Sequence, residues 1–174
     1  ATLLGVLSKL ILKGQLISLI YSIIIILIIM TIVFRSLVGG VLATFPMVIS
    51  VIMMFGLMGY TGIPLNMTTS FLTCILVGVG IDYTIHFLWH LRDHIREGDS
   101  LDDAIAKTLK ISGKGILFNG LSVVIGFSAL LFSVFVPVKI FGVLVMGSIS
   151  FCLFGALATL PALTSLINPK FLYK

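Results

Sequence analysis

Charge is what this sequence has least of. Of its 174 residues only 10% are Asp, Glu, Lys or Arg while 59% are hydrophobic, a balance that excludes a soluble globular domain and places the chain in a bilayer. Cysteine is scarcer still: Cys74 and Cys152 both fall inside apolar runs, so no disulfide framework is implied and both read as packing residues. The net charge of +5 does not mark a nucleic-acid surface, because the basic residues stand in ones and twos at the ends of apolar runs, where topology signals belong. A Walker A motif, a His and Cys metal-ligand spacing and a nucleophile elbow are all missing from the sequence. Neither catalysis on a soluble substrate nor a metal or other cofactor is therefore implied.

What the sequence has instead is five apolar segments, each near the roughly 20 residues that cross about 30 Å of hydrocarbon. They predict an all-α membrane protein with transmembrane helices over about 16–34, 37–60, 67–90, 116–135 and 138–160. Arg35 and Ser36 end the first; Gly62, Pro64 and Asn66 mark the turn before the third, and Pro137 the turn before the fifth. Pro46 and Pro161 each lack a backbone donor and are expected to bend or loosen their helices. The one strongly polar stretch, residues 92–114, predicts an amphipathic helix over about 100–110. Ser100 caps its start, and Asp102 and Asp103 suit the helix dipole there. Its face of Leu101, Ala104, Ile105, Thr108 and Leu109 is expected to lie on the membrane surface. Residues 1–15, with Lys9 and Lys13 among leucines, predict a second interfacial elbow.

Orientation follows from the basic residues, which are retained on the cytoplasmic side. With the 92–114 stretch inside, Arg35, Arg92, Arg96, Lys107, Lys110, Lys114, Lys170 and Lys174 are cytoplasmic and only Lys9, Lys13 and Lys139 are external, eight against three. This predicts a multi-pass protein of the inner (cytoplasmic) membrane with an external amino end. An external start with Ala at position 1 and no signal peptide leads to the expectation of an earlier transmembrane helix.

Of the six acidic residues, five lie between Asp93 and Asp103, and one, Asp82, lies inside a membrane segment. Counting back from Arg92 at about 1.5 Å per residue puts Asp82 roughly 15 Å below the polar border. A carboxylate at that depth costs roughly 2.5–3.5 kcal/mol on insertion scales, so it is retained for a function or a pairing. No Lys or Arg of the chain is placed to pair with it, which makes it a candidate to take and release protons; the plain alternative is a permanently protonated structural carboxyl. Gly78 and Gly80 remove side chains just before it, which suits close helix packing or a file of water. Tyr83 offers a hydroxyl, and His86, one turn away on the same face, extends a proton path or simply bonds a neighbouring backbone. His90 and His94 fall near or past the membrane border and are read as solvated. Asn119 and Ser122 are strong polar groups of the fourth segment and candidates to hydrogen-bond Asp82, although a membrane serine more often bonds its own helix.

Residues 78–86, G-V-G-I-D-Y-T-I-H, resemble the central membrane-helix signature of the resistance-nodulation-division superfamily, and in particular its branch of large mycobacterial-type lipid exporters (MMPL). The resemblance extends along most of the chain, through Gln15 to Ser18, Phe34 to Ser36, Phe55 to Gly59, Gly62 to Asn66, Gly126 to Ser133, and Phe141 with Gly142. It implies one half of a twelve-helix membrane domain, first or second, following an extracytoplasmic domain. In that family, acids of this helix couple inward proton flow to export, and in the lipid-exporter branch they occur as Asp and Tyr pairs, which Asp82 and Tyr83 match. Drug-efflux members carry adjacent aspartates and a facing lysine, which this sequence lacks. The implied function is proton-motive-force-driven export of lipids or other hydrophobic molecules. Asp82, Tyr83, His86, Asn119 and Ser122 form the expected relay, with Gly78 and Gly80 packing beside it. Expected partners are the second transmembrane half and the extracytoplasmic domain of the same transporter, membrane lipids and the hydrophobic substrate, with homo-oligomerisation left open. The same five-helix unit is similar to the sterol-sensing domain, so the alternative is a non-transporting sterol- or lipid-sensing module.

Overall fold

The computed structural model describes residues 2–173, and among them every regular element is helical. The elements are α1 (Thr2–Phe34), α2 (Leu37–Thr61), α3 (Met67–Arg96), α4 (Leu101–Thr108), α5 (Lys114–Ser128), α6 (Val136–Phe154) and α7 (Leu160–Ile167). Widened π-type turns at Leu109–Gly113 and Gly155–Thr159 join α4 to α5 and α6 to α7 without a break. Five rods are long and apolar enough to cross a bilayer, Leu10–Phe34, Leu37–Thr61, Thr69–Arg96, Leu101–Phe132 and Val136–Ile167. This is the multi-pass all-α architecture that the apolar runs predict.

The helix ends follow local chemistry. After Phe34 the chain leaves α1 through Arg35, whose φ of 48° is left-handed, with the Ser36 N–H donating back to the Thr31 carbonyl at 3.1 Å. Ser36 then caps α2 by accepting from the Gly39 N–H. At the other end Gly62 closes α2 at φ 69°, and Asn66 opens α3 with a reciprocal box: its side chain accepts from the Thr69 N–H at 3.0 Å while the Thr69 hydroxyl accepts from the Asn66 N–H at 2.8 Å.

Packing centres on α2, α3 and α6, with α1 laid against α2 and α5 against α6. Met47, Met54, Leu76, Phe87, Leu144 and Ile149 make up much of the buried centre. In lipid this packing is driven by contact and shape, since the tails outside are as apolar as the core.

Four expectations need correction. The opening fifteen residues do not form a separate elbow: α1 runs unbroken from Thr2, no proline interrupting it, and a lone Gly5 or Gly14 does not stop a helix this apolar. The α4 apolar face lies on protein, not on the membrane surface. Ala104 and Thr108 are fully buried against the ends of α3 and α7, small enough for α4 to sit close. The fifth rod continues past Pro161 to Ile167, because the missing amide donor falls just after a turn already widened out of α register. Finally, Cys152 is buried but Cys74 faces outward, so the packing reading holds for only one of the two.

Candidate functional site

The cap at Asn66 fixes the phase of α3, and that phase decides what each polar side chain meets. Gly78, Asp82, His86 and His90 recur every four residues and share an exposed face, while Leu76, Gly80, Thr84 and Phe87 face the core. Asp82 lies fifteen residues from Met67 and fourteen from Arg96, roughly 22 Å and 21 Å along the axis, so it is central in the rod.

Two glycines bring the neighbouring helices to this level. A Cβ on Gly80 would stand 3.2 Å from Cys152 Sγ and 3.3 Å from Met47 Cγ, so the absent side chain lets α3 close tightly on α2 and α6. On α5, a Cβ on Gly120 would meet Leu153 Cδ1 at 2.5 Å, so α5 is pressed onto α6 beside Asn119. Gly78, the other glycine before Asp82, would meet nothing within 4 Å and opens onto the exposed face.

Between α3 and α5 lies a cleft of about 320 Å³. Asp82, Tyr83, His86 and His90 line it from one side, and Ser112, Ile116 and Asn119 from the other. It therefore brings together four of the five polar residues singled out in the sequence. Ser122 is not among the lining residues; its hydroxyl donates to the Phe118 carbonyl of its own helix at 2.8 Å. Among the described residues, no Lys or Arg lies within ion-pairing distance of Asp82. Tyr83 Oη and Ser112 Oγ are buried without a hydrogen-bond partner among them. Both residues line the cleft, and each buried hydroxyl has donor and acceptor capacity to spare.

The spacing constrains the chemistry. Asp82, His86 and His90 are each one turn apart, about 6 Å of rise, twice the reach of a direct hydrogen bond. A proton moving along this face needs water between the side chains, and a cleft of about 320 Å³ has room for several molecules at about 30 Å³ each. Two polar lining residues were not placed in the relay from sequence. Ser112 sits in a stretch so polar that one more hydroxyl carries no signal, though its seven-residue spacing from Asn119 puts both on one helix face. His90, expected to be merely solvated, is exposed and lines the same cleft one turn beyond His86.

The MMPL family matches residues 3–172 of the sequence, nearly its whole length. The chain belongs to the MMPL family. Individual MMPL and related proteins repeat the match: a membrane protein of Methanocaldococcus jannaschii is 34% identical over 138 residues, 79% of this chain and 36% of that protein. The MmpL8 protein of Mycobacterium bovis is 29% identical over 84% of this chain and 14% of its own length. The sulfolipid-1 exporter MmpL8 of Mycobacterium tuberculosis is 30% identical over 60% of this chain and 10% of its own. The chain thus spans about a third of the archaeal relative and a seventh or less of the mycobacterial ones.

Proposed function

We propose that this MMPL chain is the proton-translocating transmembrane half of an exporter of lipids or other hydrophobic molecules, driven by the proton motive force across the cytoplasmic membrane. The observation that carries the reading is the isolated Asp82 carboxyl in the middle of α3, opening into a polar cleft with Tyr83, His86 and Asn119 and with no cation among the described residues in ion-pairing reach. A permanently charged group there would be held at the cost of an intramembrane ion, whereas a group that alternates between charged and neutral converts that cost into a drive for helix movement. In the cycle, Asp82 takes a proton from the outer side, becomes neutral and lets α3 and α5 repack, then releases it inward by way of Tyr83, bridging water and His86. Each proton crossing the field supplies about 2.3 kcal/mol per 100 mV, so one or two suffice for a modest conformational change. The second half and the extracytoplasmic domain of the same transporter complete the path and hold the substrate.

Asp82→Asn is the direct test, because the amide keeps the shape and cannot exchange a proton. In the intact protein, reconstituted in liposomes with an imposed pH gradient, gradient-driven lipid export is expected to fall to background while the protein remains folded and inserted. Export that persists in Asp82→Asn and ignores the gradient would overturn proton coupling through Asp82, whereas lipid-dependent conformational change without export in the unaltered protein would replace this reading with that of a lipid-sensing module.

A further inference from the structure

A second cleft, of about 650 Å³, opens at the polar border where α1 turns into α2. Arg35, Arg92 and Arg96 all line it, together with Ser36, Trp89 and the exposed Val33. The sequence places the three guanidinium groups on the same membrane side; the fold gathers them from two helices into one concave surface. The like charges of Arg96 and Arg35 both reach Arg92, and among the described residues Asp93 is the opposing charge there. Among the described residues, neither Arg35 nor Arg92 forms an ion pair, and Arg92 Nε is buried without a hydrogen-bond partner. Bringing Arg35 and Arg92 together without an ion pair for either is unfavourable unless an anion joins them. Arg35 adds a further cost, because it takes the left-handed φ of 48° at a helix end where glycine would be free of strain.

The chemistry of the lining selects the anion. Arginine forks match phosphate oxygens in pairs. Ser36 and the start of α2 add the positive end of a helix. Trp89 is of the type that settles among lipid headgroups, and above the cleft Ile29, Ile32 and Val33 leave a flank of α1 exposed for acyl chains. We propose that this cleft binds the phosphate-bearing headgroup of an anionic phospholipid, held by Arg35 and Arg92, with its tails along α1. A free phosphate shares the headgroup's oxyanion chemistry but has no use for the apolar flank. The site is separate from the Asp82 cleft, with which it shares no lining residue.

Trp89, the single tryptophan of this chain, reports on the cleft directly. The intact protein is placed in phosphatidylcholine nanodiscs carrying a small fraction of either brominated phosphatidylglycerol or brominated phosphatidylcholine. Subtracting the signal of Trp89→Phe isolates the Trp89 emission. Brominated phosphatidylglycerol is expected to quench it preferentially, and removing one arginine charge, in Arg35→Gln or Arg92→Gln, to lower the preference by about fivefold. Arg92→Lys should lose less, and Lys107→Gln, outside the cleft, should match the unmodified protein. Should Arg92→Gln fail to fold, judged by helical circular dichroism and gel filtration, Arg35→Gln decides alone. Equal quenching by the two lipids, or a preference untouched by the arginine variants, overturns the proposal. So does displacement of the lipid by millimolar inorganic phosphate, which would assign the cleft to a soluble anion.

Discussion

The α1 and α5 rods differ sharply from the three at the centre. In α2, α3 and the α6–α7 rod, 44–50% of the most apolar stretch is buried inside the protein; in α1 and the α4–α5 rod the share is 11%. Yet α1 carries the longest unbroken apolar run, residues 23–30 of Ile, Leu and Met alone. In a membrane apolarity does not distinguish inside from outside, because lipid accepts isoleucine as readily as a core does. What marks the central helices is small and weakly polar residues that allow close approach: Gly39, Gly40, Thr44 and Ser50 in α2, Thr73, Gly80 and Thr84 in α3, and Ser148 in α6 are all buried. The α5 helix belongs to the outer class by exposure but presents Asn119 to the Asp82 cleft. The candidate site therefore lies on the seam between the two classes.

Asp82→Asn carries the largest expected effect, the loss of gradient-driven export described above, because it removes the one intramembrane acid at that seam. Next comes Gly120→Leu, which forces a side chain into the space held by Leu153 and should lower stability by about 1–3 kcal/mol, read as a reduced melting temperature in mild detergent. An equal melting temperature would mean that α5 is not held against α6 as described. Smaller again is Tyr83→Phe, which deletes only the buried, unpartnered hydroxyl of a cleft-lining residue and should slow export by about two- to tenfold with unchanged protein level. Paired with it, Asn119→Ala should slow export several-fold while Ser122→Ala leaves it unaltered; a larger effect from Ser122→Ala would put the wrong face of α5 in the cleft. Last is Ile28→Ala on the outer face of α1, where Ile28 is 53% exposed, expected to change stability by no more than about 0.5 kcal/mol in the same detergent assay. A large loss there would show that another protein surface, not lipid, covers that face.

How much of this the sequence carries differs from residue to residue. The five rods are legible because hydrocarbon thickness imposes a length that composition cannot hide. Asp82 is legible for the same reason, as the single acid in the five apolar segments read from the sequence. Phase is less so: Gly78 and Gly80 look equivalent as a pair before the carboxyl, but two residues turn a helix by about 200°, and only Gly80 meets neighbouring helices. Asn119 and Ser122 likewise differ by three residues, and the structure places one in the cleft lining and the other outside it. The seat of α4 is illegible because an amphipathic face fits a membrane surface and a bundle end equally well. The gathering of Arg35 with Arg92 and Arg96 depends on a turn between helices that no periodicity records.

The widened turn at Leu109–Gly113 has a consequence for how sequences of this kind are to be aligned and edited. Such a turn holds one residue more than an α-helical turn, so it acts as a one-residue insertion inside a continuous rod. Deleting a single residue within it would restore ordinary winding with the phase beyond, Asn119 included, nearly unchanged relative to α4, because the widened turn spends about one extra residue on the same full rotation. The polar face that α5 offers to Asp82 is thus buffered against a change of reading frame along the helix: a gap of one in the 109–113 stretch is absorbed by the turn and leaves Asn119 on the cleft, whereas a gap of one elsewhere in α5 before Asn119 would turn it away by about 100°.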